Sequence, residues 1–242
     1  MLDSLAPQKN HLLAALPAQI QDRLFPRLEL VPLSMGKVLC HSGDSLRHVY
    51  FPVDSIVSLF HETESGASGE ISMVGNEGLV GIALLLGGDS TSSQAIVHGA
   101  GSAYRLPKQQ IKEEFNRHGE FLELLLRYTQ SLMTQMSQTA VCNRHHSVEQ
   151  QLCRLLLLAH DRVPGNKLSL TQDLIAGMLG VRREGITSAA GKLRLQNVIQ
   201  YARGQITVLN RPKLEELSCE CYEVVRHEYA RLLPGPCSCA VN

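Results

Sequence analysis

Residues 168–209, LSLTQDLIAGMLGVRREGITSAAGKLRLQNVIQYARGQITVL, constrain this chain more than any other stretch. Thr171 has the side chain to cap a helix whose apolar stripe is Leu174, Ile175 and Met178. Gly180 ends that helix, because glycine takes the left-handed conformation of a helix stop without steric cost. A second helix starts near Arg182 and turns Ile186, Ala189, Ala190 and Leu193 inward, so Arg182, Arg183 and Glu184 face outward. Residues 198–201, a turn around Arg203-Gly204, and residues 206–209 give a two-stranded hairpin, or wing. Charged residues at the start of the second helix suit a helix-turn-helix that reads base edges in the major groove.

Charge follows the same boundary. Residues 167–213 carry eight Lys/Arg and two Asp/Glu, whereas residues 1–166 carry 13 and 16, and residues 214–242 carry 2 and 5. The neutral total therefore hides a basic module between acidic flanks, the pattern that phosphate binding needs.

Three runs in this module, Leu170-Thr171-Gln172, Ala176-Gly177-Met178-Leu179-Gly180-Val181 and Arg182-Arg183-Glu184, resemble the winged helix of the Crp/Fnr family of bacterial transcription regulators. Upstream, His146-Ser147-Val148-Glu149-Gln150-Gln151-Leu152 resembles the helix that opens that family's DNA-binding domain, and the likeness extends from about Leu12 to Leu209. The resemblance implies an α+β protein: an N-terminal β-roll (jelly roll) sensor domain over 1–118, a long dimerisation helix and hinge over 119–145, and a C-terminal winged helix-turn-helix with a final helix over 146–242. It further implies a homodimer on a palindromic double-stranded DNA operator, RNA polymerase as a partner, and a small-molecule effector. Arg183 and Glu184 match the family's arginine and glutamate that read a G·C pair and an adjacent cytosine, while the third reader is replaced by Ser188. Arg182 and Lys192, to the side, are expected on phosphate, with Thr171 and Gln172 reaching it from the first helix.

The N-terminal half reads as β structure. Short apolar stretches at 38–39, 49–51, 56–60, 71–74, 95–97 and 103–106 are separated by glycine-marked turns, as in a sandwich or barrel. Before them, residues 10–25 give two short helices divided at Pro17. Residues 77–88 break the alternation with continuous apolar sequence. In the family this place holds a short helix whose amides cradle a ligand phosphate. Cyclic-AMP-binding relatives follow the glycine aligned with Gly81 by a glutamate for the ribose, and carry an arginine for the phosphate further on. Here those places hold Ile82 and, within Ser92-Ser93-Gln94, Ser93. Without that charge-assisted pair cyclic AMP is not the expected effector. Relatives place a polar pair that touches the nucleotide base where this chain has Met136 and Ser137. The effector-pocket residues are thus Gly81, Ile82, Ser92, Ser93, Gln94, Met136 and Ser137, with the ligand or cofactor unidentified.

Residues 108–145 read as one long helix after a short lead-in at 108–111. Leu125 and Leu132 are seven apart, as are Thr129 and Met136, with Tyr128 and Met133 beside them. This spacing fits a two-helix seam or a helix packed on its own β-domain, and the resemblance favours a dimer through Leu125, Tyr128, Leu132, Met133 and Met136. Ser147 with Gln150 gives a capping box for the next helix. The adjacent His145 and His146 read as a solvated hinge pair, and residues 214–233 as one final amphipathic helix.

No apolar run approaches the ~20 residues that span a bilayer, and the first residues lack the basic start of a signal peptide, so a soluble cytoplasmic protein is expected, with no membrane partner. Seven cysteines in such a chain suggest thiols or metal ligands rather than disulfides. Cys219-x-Cys221 and Cys237-x-Cys239 form a weak four-thiolate candidate, because i and i+2 thiols on a helix do not face one another; no metal site is assigned. An iron–sulfur cluster of the family's N-terminal type is not expected, since Cys40 stands alone there. No P-loop, H-E-x-x-H or Ser-His-Asp spacing points to an enzyme. Three readings remain: an effector-responsive regulator, an effector-independent DNA-binding protein, and a metal- or redox-responsive regulator using the C-terminal cysteines.

Overall fold

The computed structural model describes residues 6–233. After a 3-10 turn at Pro7–Lys9, α1 (His11–Ala14) and α2 (Ala18–Leu24) are separated by Pro17. Asn10 caps α1 by accepting from the Leu13 N–H, and its amide donates to the carbonyls of Pro52 (2.9 Å) and Gly78 (2.8 Å). One buried side chain thus fastens the N-terminal helices to the β-domain.

Seven strands follow: β1 (Glu29–Leu33), β2 (Val38–Cys40), β3 (His48–Pro52), β4 (Ile56–Glu62), β5 (Ser68–Val74), β6 (Gln94–Gly99) and β7 (Gly101–Pro107). They form two antiparallel sheets, ordered β1-β7-β3 and β2-β6-β4-β5, which is the expected roll. Val49, Phe51, Val57, Val74, Val97, Ala103 and Leu106 fill its core, each 0–1% exposed. The apolar segment after β5 contributes only a three-residue 3-10 turn, Ile82–Leu84.

Residues 108–145 are not continuous. α3 (Lys108–Phe115) stops, His118 takes a left-handed φ of 53°, and α4 (Glu120–His145) starts afresh after Gly119. α4 lays Phe121, Leu124, Leu125, Tyr128 and Leu132 on its own roll. The Tyr128 hydroxyl donates to the Leu79 carbonyl (2.9 Å), and the Gln135 amide to the Met73 carbonyl (3.1 Å).

Ser147 and Gln150 form the capping box of α5 (Val148–His160). The winged module comprises β8 (Lys167–Leu168), α6 (Gln172–Leu179), α7 (Arg183–Leu195), β9 (Ile199–Ala202) and β10 (Gln205–Val208), its three strands ordered β8-β10-β9. The expected final helix is two, α8 (Arg211–Leu217) and α9 (Glu220–Leu232), because Ser218 and Cys219 both adopt extended backbone. α9 lies along α4, where the Tyr229 hydroxyl donates to Gln135 Oε1 (3.1 Å), and α6 packs on β5. Among the described residues no helix is long and apolar enough to cross a membrane.

Candidate functional site

The local chemistry of the winged module explains its shape. The Thr171 hydroxyl accepts from the Leu174 N–H (3.2 Å), closing the start of α6, and Gly180 ends it at φ 63°. Arg182 stands at the N-cap of α7, so Arg183 and Glu184 occupy its exposed first turn, while Ile186, Ala189, Ala190 and Leu193 are buried beneath. At the wing tip Arg203 (φ 50°) and Gly204 (φ 78°) both have positive φ, the pair that a two-residue hairpin turn of matching twist requires. A Cβ on Gly204 would come within 3.3 Å of the Thr171 methyl, so the wing sits tightly against the α6 cap.

The seven candidate DNA-binding residues fall along this surface, and four of them are tied down. The Arg183 guanidinium faces Asp173 at 3.4 Å, and Lys192 Nζ lies 3.0 Å from Glu149 Oε2. Both cations are more than 60% exposed, where an ion pair is worth about 0–1 kcal/mol and yields readily to a nucleic acid. Gln172 is half-buried; its carboxamide oxygen accepts from the Thr187 hydroxyl (2.8 Å), and its backbone N–H donates to the Tyr201 hydroxyl (3.2 Å). Thr171 is engaged as the cap. Arg182, Glu184 and Ser188 are exposed. Thr187 and Arg203 lie exposed on the same module and were not singled out from sequence; the helical turn from Arg183 to Thr187 and the wing-tip turn are the signals that point to them.

A cavity of about 260 Å³ opens between the roll and α4. Of the seven candidate pocket residues, Gly81, Ile82, Ser92, Ser93 and Met136 line it. Gln94 does not: strand alternation turns it to the other face of β6, where its amide meets His41 Nδ1 at 3.0 Å. Ser137 is exposed and donates to the Met133 carbonyl. The lining is apolar, relieved by the Cys40 thiol, the His61 ring and the hydroxyls of Thr91, Ser92 and Ser93, with no Arg, Lys, Asp or Glu among the described lining residues. Burial raises the Cys40 thiol above its ordinary value, keeping it neutral. Gly81 caps the 3-10 turn at φ 101°, and a Cβ there would meet the His48 carbonyl at 3.2 Å. The short helix expected here is this three-residue 3-10 turn, Ile82–Leu84.

The long helix corrects the expected seam. Leu125, Tyr128 and Leu132 are 1%, 0% and 3% exposed because they pack on their own roll. The open face instead carries Leu122, Leu126, Thr129, Met133, Met136 and Ala140, alternating by four and three residues. Leu126 and Met133 are 52% and 63% exposed. Met133 and Met136 thus remain on the available face and the other three leave it. The run Leu124-Leu125-Leu126 makes α4 apolar on two faces, so seven-residue spacing alone does not tell them apart.

The cysteines also regroup. Cys219 and Cys221 meet Cys142 and His146, with all four ligand atoms within 4.8 Å of one another. The i, i+2 objection does not apply, since Cys219 is the N-cap of α9 with extended backbone (φ −88°, ψ 164°). His146 turns inward while His145 is exposed. Cys237 and Cys239 lie outside the described residues.

Known families match both halves of the chain. A cyclic nucleotide-binding domain matches residues 30–118, and a Crp-like helix-turn-helix domain matches residues 150–217. The chain is 26% identical over 216 residues to the global nitrogen regulator of Synechocystis sp., covering 81% of this chain and 96% of that protein. Its fold is similar to FixK2 from Bradyrhizobium japonicum (TM-score 0.68, 15% identity, 79% of this chain and 98% of that one). It is similar also to a CRP/FNR-family transcriptional regulator from Thermus thermophilus (TM-score 0.59, 20% identity, 78% and 98%). With a cyclic nucleotide-binding domain before a Crp-like helix-turn-helix domain, this chain has the two domains of a Crp/Fnr-type transcription regulator that binds DNA through its helix-turn-helix.

Proposed function

We propose that the chain acts as a homodimer that binds a palindromic DNA operator through α7 and the wing, under the control of a small effector held between the roll and α4. The observation that carries this reading is the exposed first turn of α7, where Arg183 offers two donors to guanine and Glu184 an acceptor to cytosine. Ser188, one turn on, cannot supply the family's third charged reader, so the outer position of the half-site is relaxed. Arg182, Lys192 and the wing-tip Arg203 serve phosphates, with Thr171 and Gln172 presenting the first helix to the backbone. RNA polymerase is the partner on promoter DNA.

The partner helix is a second copy of this chain. The Leu122–Leu126–Thr129–Met133–Met136–Ala140 spacing is that of a coiled-coil seam, with Leu126, Met133 and Ala140 exposed and the other three half-buried, and Met136 lies on both that seam and the cavity wall. The effector is a small neutral molecule, because the lining offers hydroxyl, imidazole and thiol groups and no cation to hold a phosphate. Selecting operators from random duplex DNA with the purified protein tests the reading. Recovery of an inverted repeat with a G·C pair fixed in each half-site is expected, and recovery of no repeat overturns it.

A further inference from the structure

Cys142 and His146 come from the last turn of α4 and its cap, and Cys219 and Cys221 from the first turn of α9. The three cysteines are 1%, 5% and 1% exposed and form a small buried cluster of their own, apart from the main apolar core. Cys142 Sγ lies 3.5 Å from Cys219 Sγ, and Cys221 Sγ lies 3.6 Å from His146 Nδ1. Ligands at ~2.3 Å (sulfur) and ~2.0 Å (nitrogen) from one tetrahedral ion are themselves ~3.5–3.8 Å apart. The Cys142–Cys219 and Cys221–His146 pairs already stand at that separation, and all four ligand atoms lie within 4.8 Å of one another. An iron–sulfur cluster would interpose sulfide and several irons between the thiolates and spread them further.

We propose that Cys142, His146, Cys219 and Cys221 form a tetrahedral site for one thiophilic divalent ion of the zinc class, clamping the start of α9 to the hinge end of α4.

The surroundings fit such an ion. His146 presents Nδ1 to the cluster, and its other nitrogen, Nε2, lies 3.4 Å from Glu220 Oε1, the carboxylate support that orients a metal-bound histidine. Three thiolates, a neutral imidazole and a divalent cation sum to one negative charge. Buried Arg154, which donates to the Thr139 hydroxyl (2.6 Å), supplies a positive field at Cys142 and Cys221, and the α9 N-terminus adds its dipole. Binding sends the three thiol protons to solvent. Ser147 begins α5 directly after His146, so the ion joins the α4 hinge, α9 and the lead-in to the winged module at one point.

Metal analysis of the full-length protein purified under reductant tests the proposal. About one zinc per chain is expected, and metal-free protein given cobalt(II) should show tetrahedral d–d bands with thiolate-to-cobalt charge transfer. Cys142→Ser and Cys219→Ser should each abolish both signals. His146→Cys keeps four ligands and should still bind cobalt with an altered spectrum, which separates ligand loss from misfolding. Glu220→Gln should weaken affinity about tenfold. Cys237→Ser combined with Cys239→Ser should leave the ion in place. Absence of both zinc and cobalt–thiolate bands, retention of zinc by Cys142→Ser, or loss of the ion in the Cys237/Cys239 double variant would each overturn the assignment. A Cys142–Cys219 disulfide as the resting state would overturn it too. These readouts do not involve DNA, so they stand or fall apart from the operator reading.

Discussion

Arg162, just beyond α5, reaches into the β-roll and places Nη2 2.8 Å from Glu77 Oε1, with both side chains largely buried. Its Nη1 also donates to the Leu158 carbonyl (2.6 Å), and a Cβ on Gly75 would lie 2.7 Å from the Arg162 stem. The helix-turn-helix module is therefore held to the β-roll by a charge pair threaded past a glycine. Removing one member of a buried pair strands the other. Glu77→Ala should cost about 3–5 kcal/mol in urea unfolding. A loss under about 1 kcal/mol would mean that the pair is solvated.

Glu70 on β5 is a second buried carboxylate, with Oε2 lacking a partner. Burial pushes its carboxyl up to about 7, against the opposing influence of the Ser58 hydroxyl and the fields of Arg154 and Arg162. The folded state holds this proton more tightly than the unfolded chain, whose ordinary value is 4.5. Stability should thus fall as pH rises from about 4.5 to about 7 and then level off, by at most about 3 kcal/mol. Glu70→Gln should flatten that slope and be the more stable protein at pH 8. An unchanged pH profile would show that Glu70 is ionised in the fold.

For the helix seam, Leu126→Glu and Met133→Glu should give monomers in sedimentation that remain folded, since both residues are exposed on the single chain. Leu132→Glu should instead unfold the protein, because it buries a charge in the roll core. A tight dimer persisting in Met133→Glu places the interface elsewhere.

Cyclic AMP at sub-millimolar concentration should leave Tm and operator affinity unchanged, because the described cavity lining, Ile82 and Ser93 included, offers no arginine for the phosphate and no carboxylate for the ribose. A Tm rise of several degrees with DNA binding switched on would refute this account of the cavity.

On DNA, Arg183→Ala should cost about 1–3 kcal/mol and erase preference at one base pair. Lys192→Ala should weaken all sequences alike and lower the salt slope by about one. Titrations of single-base operator variants at two salt concentrations separate the two. Uniform weakening by Arg183→Ala would make it a phosphate contact.

The winged module was legible because each of its devices is local: the Thr171 cap, the Gly180 stop and the Arg203-Gly204 turn act within a few residues. The strands were legible from alternation and glycine spacing. What sequence did not resolve depends on which face meets which neighbour. α4 carries two apolar faces, and only the docking of Tyr128 under Leu79 shows which one is inside. Cys142 and Cys219 are 77 positions apart, so no spacing rule links them; they meet because α9 folds back along α4. The split between α8 and α9 was hidden because Ser218 and Cys219 carry no proline or glycine to announce it.

Met136 has a consequence for how the proposed dimer would count its effector. Its thioether is at once a wall of the cavity and a member of the open α4 face. When two chains join along that face, each cavity is one side chain away from the other subunit. In the proposed dimer an effector filling one cavity would press on the contact that the second cavity shares, and thermodynamic reciprocity would return the effect with equal size. The dose response would then belong to the pair, with the flexible Met136 side chain as its link.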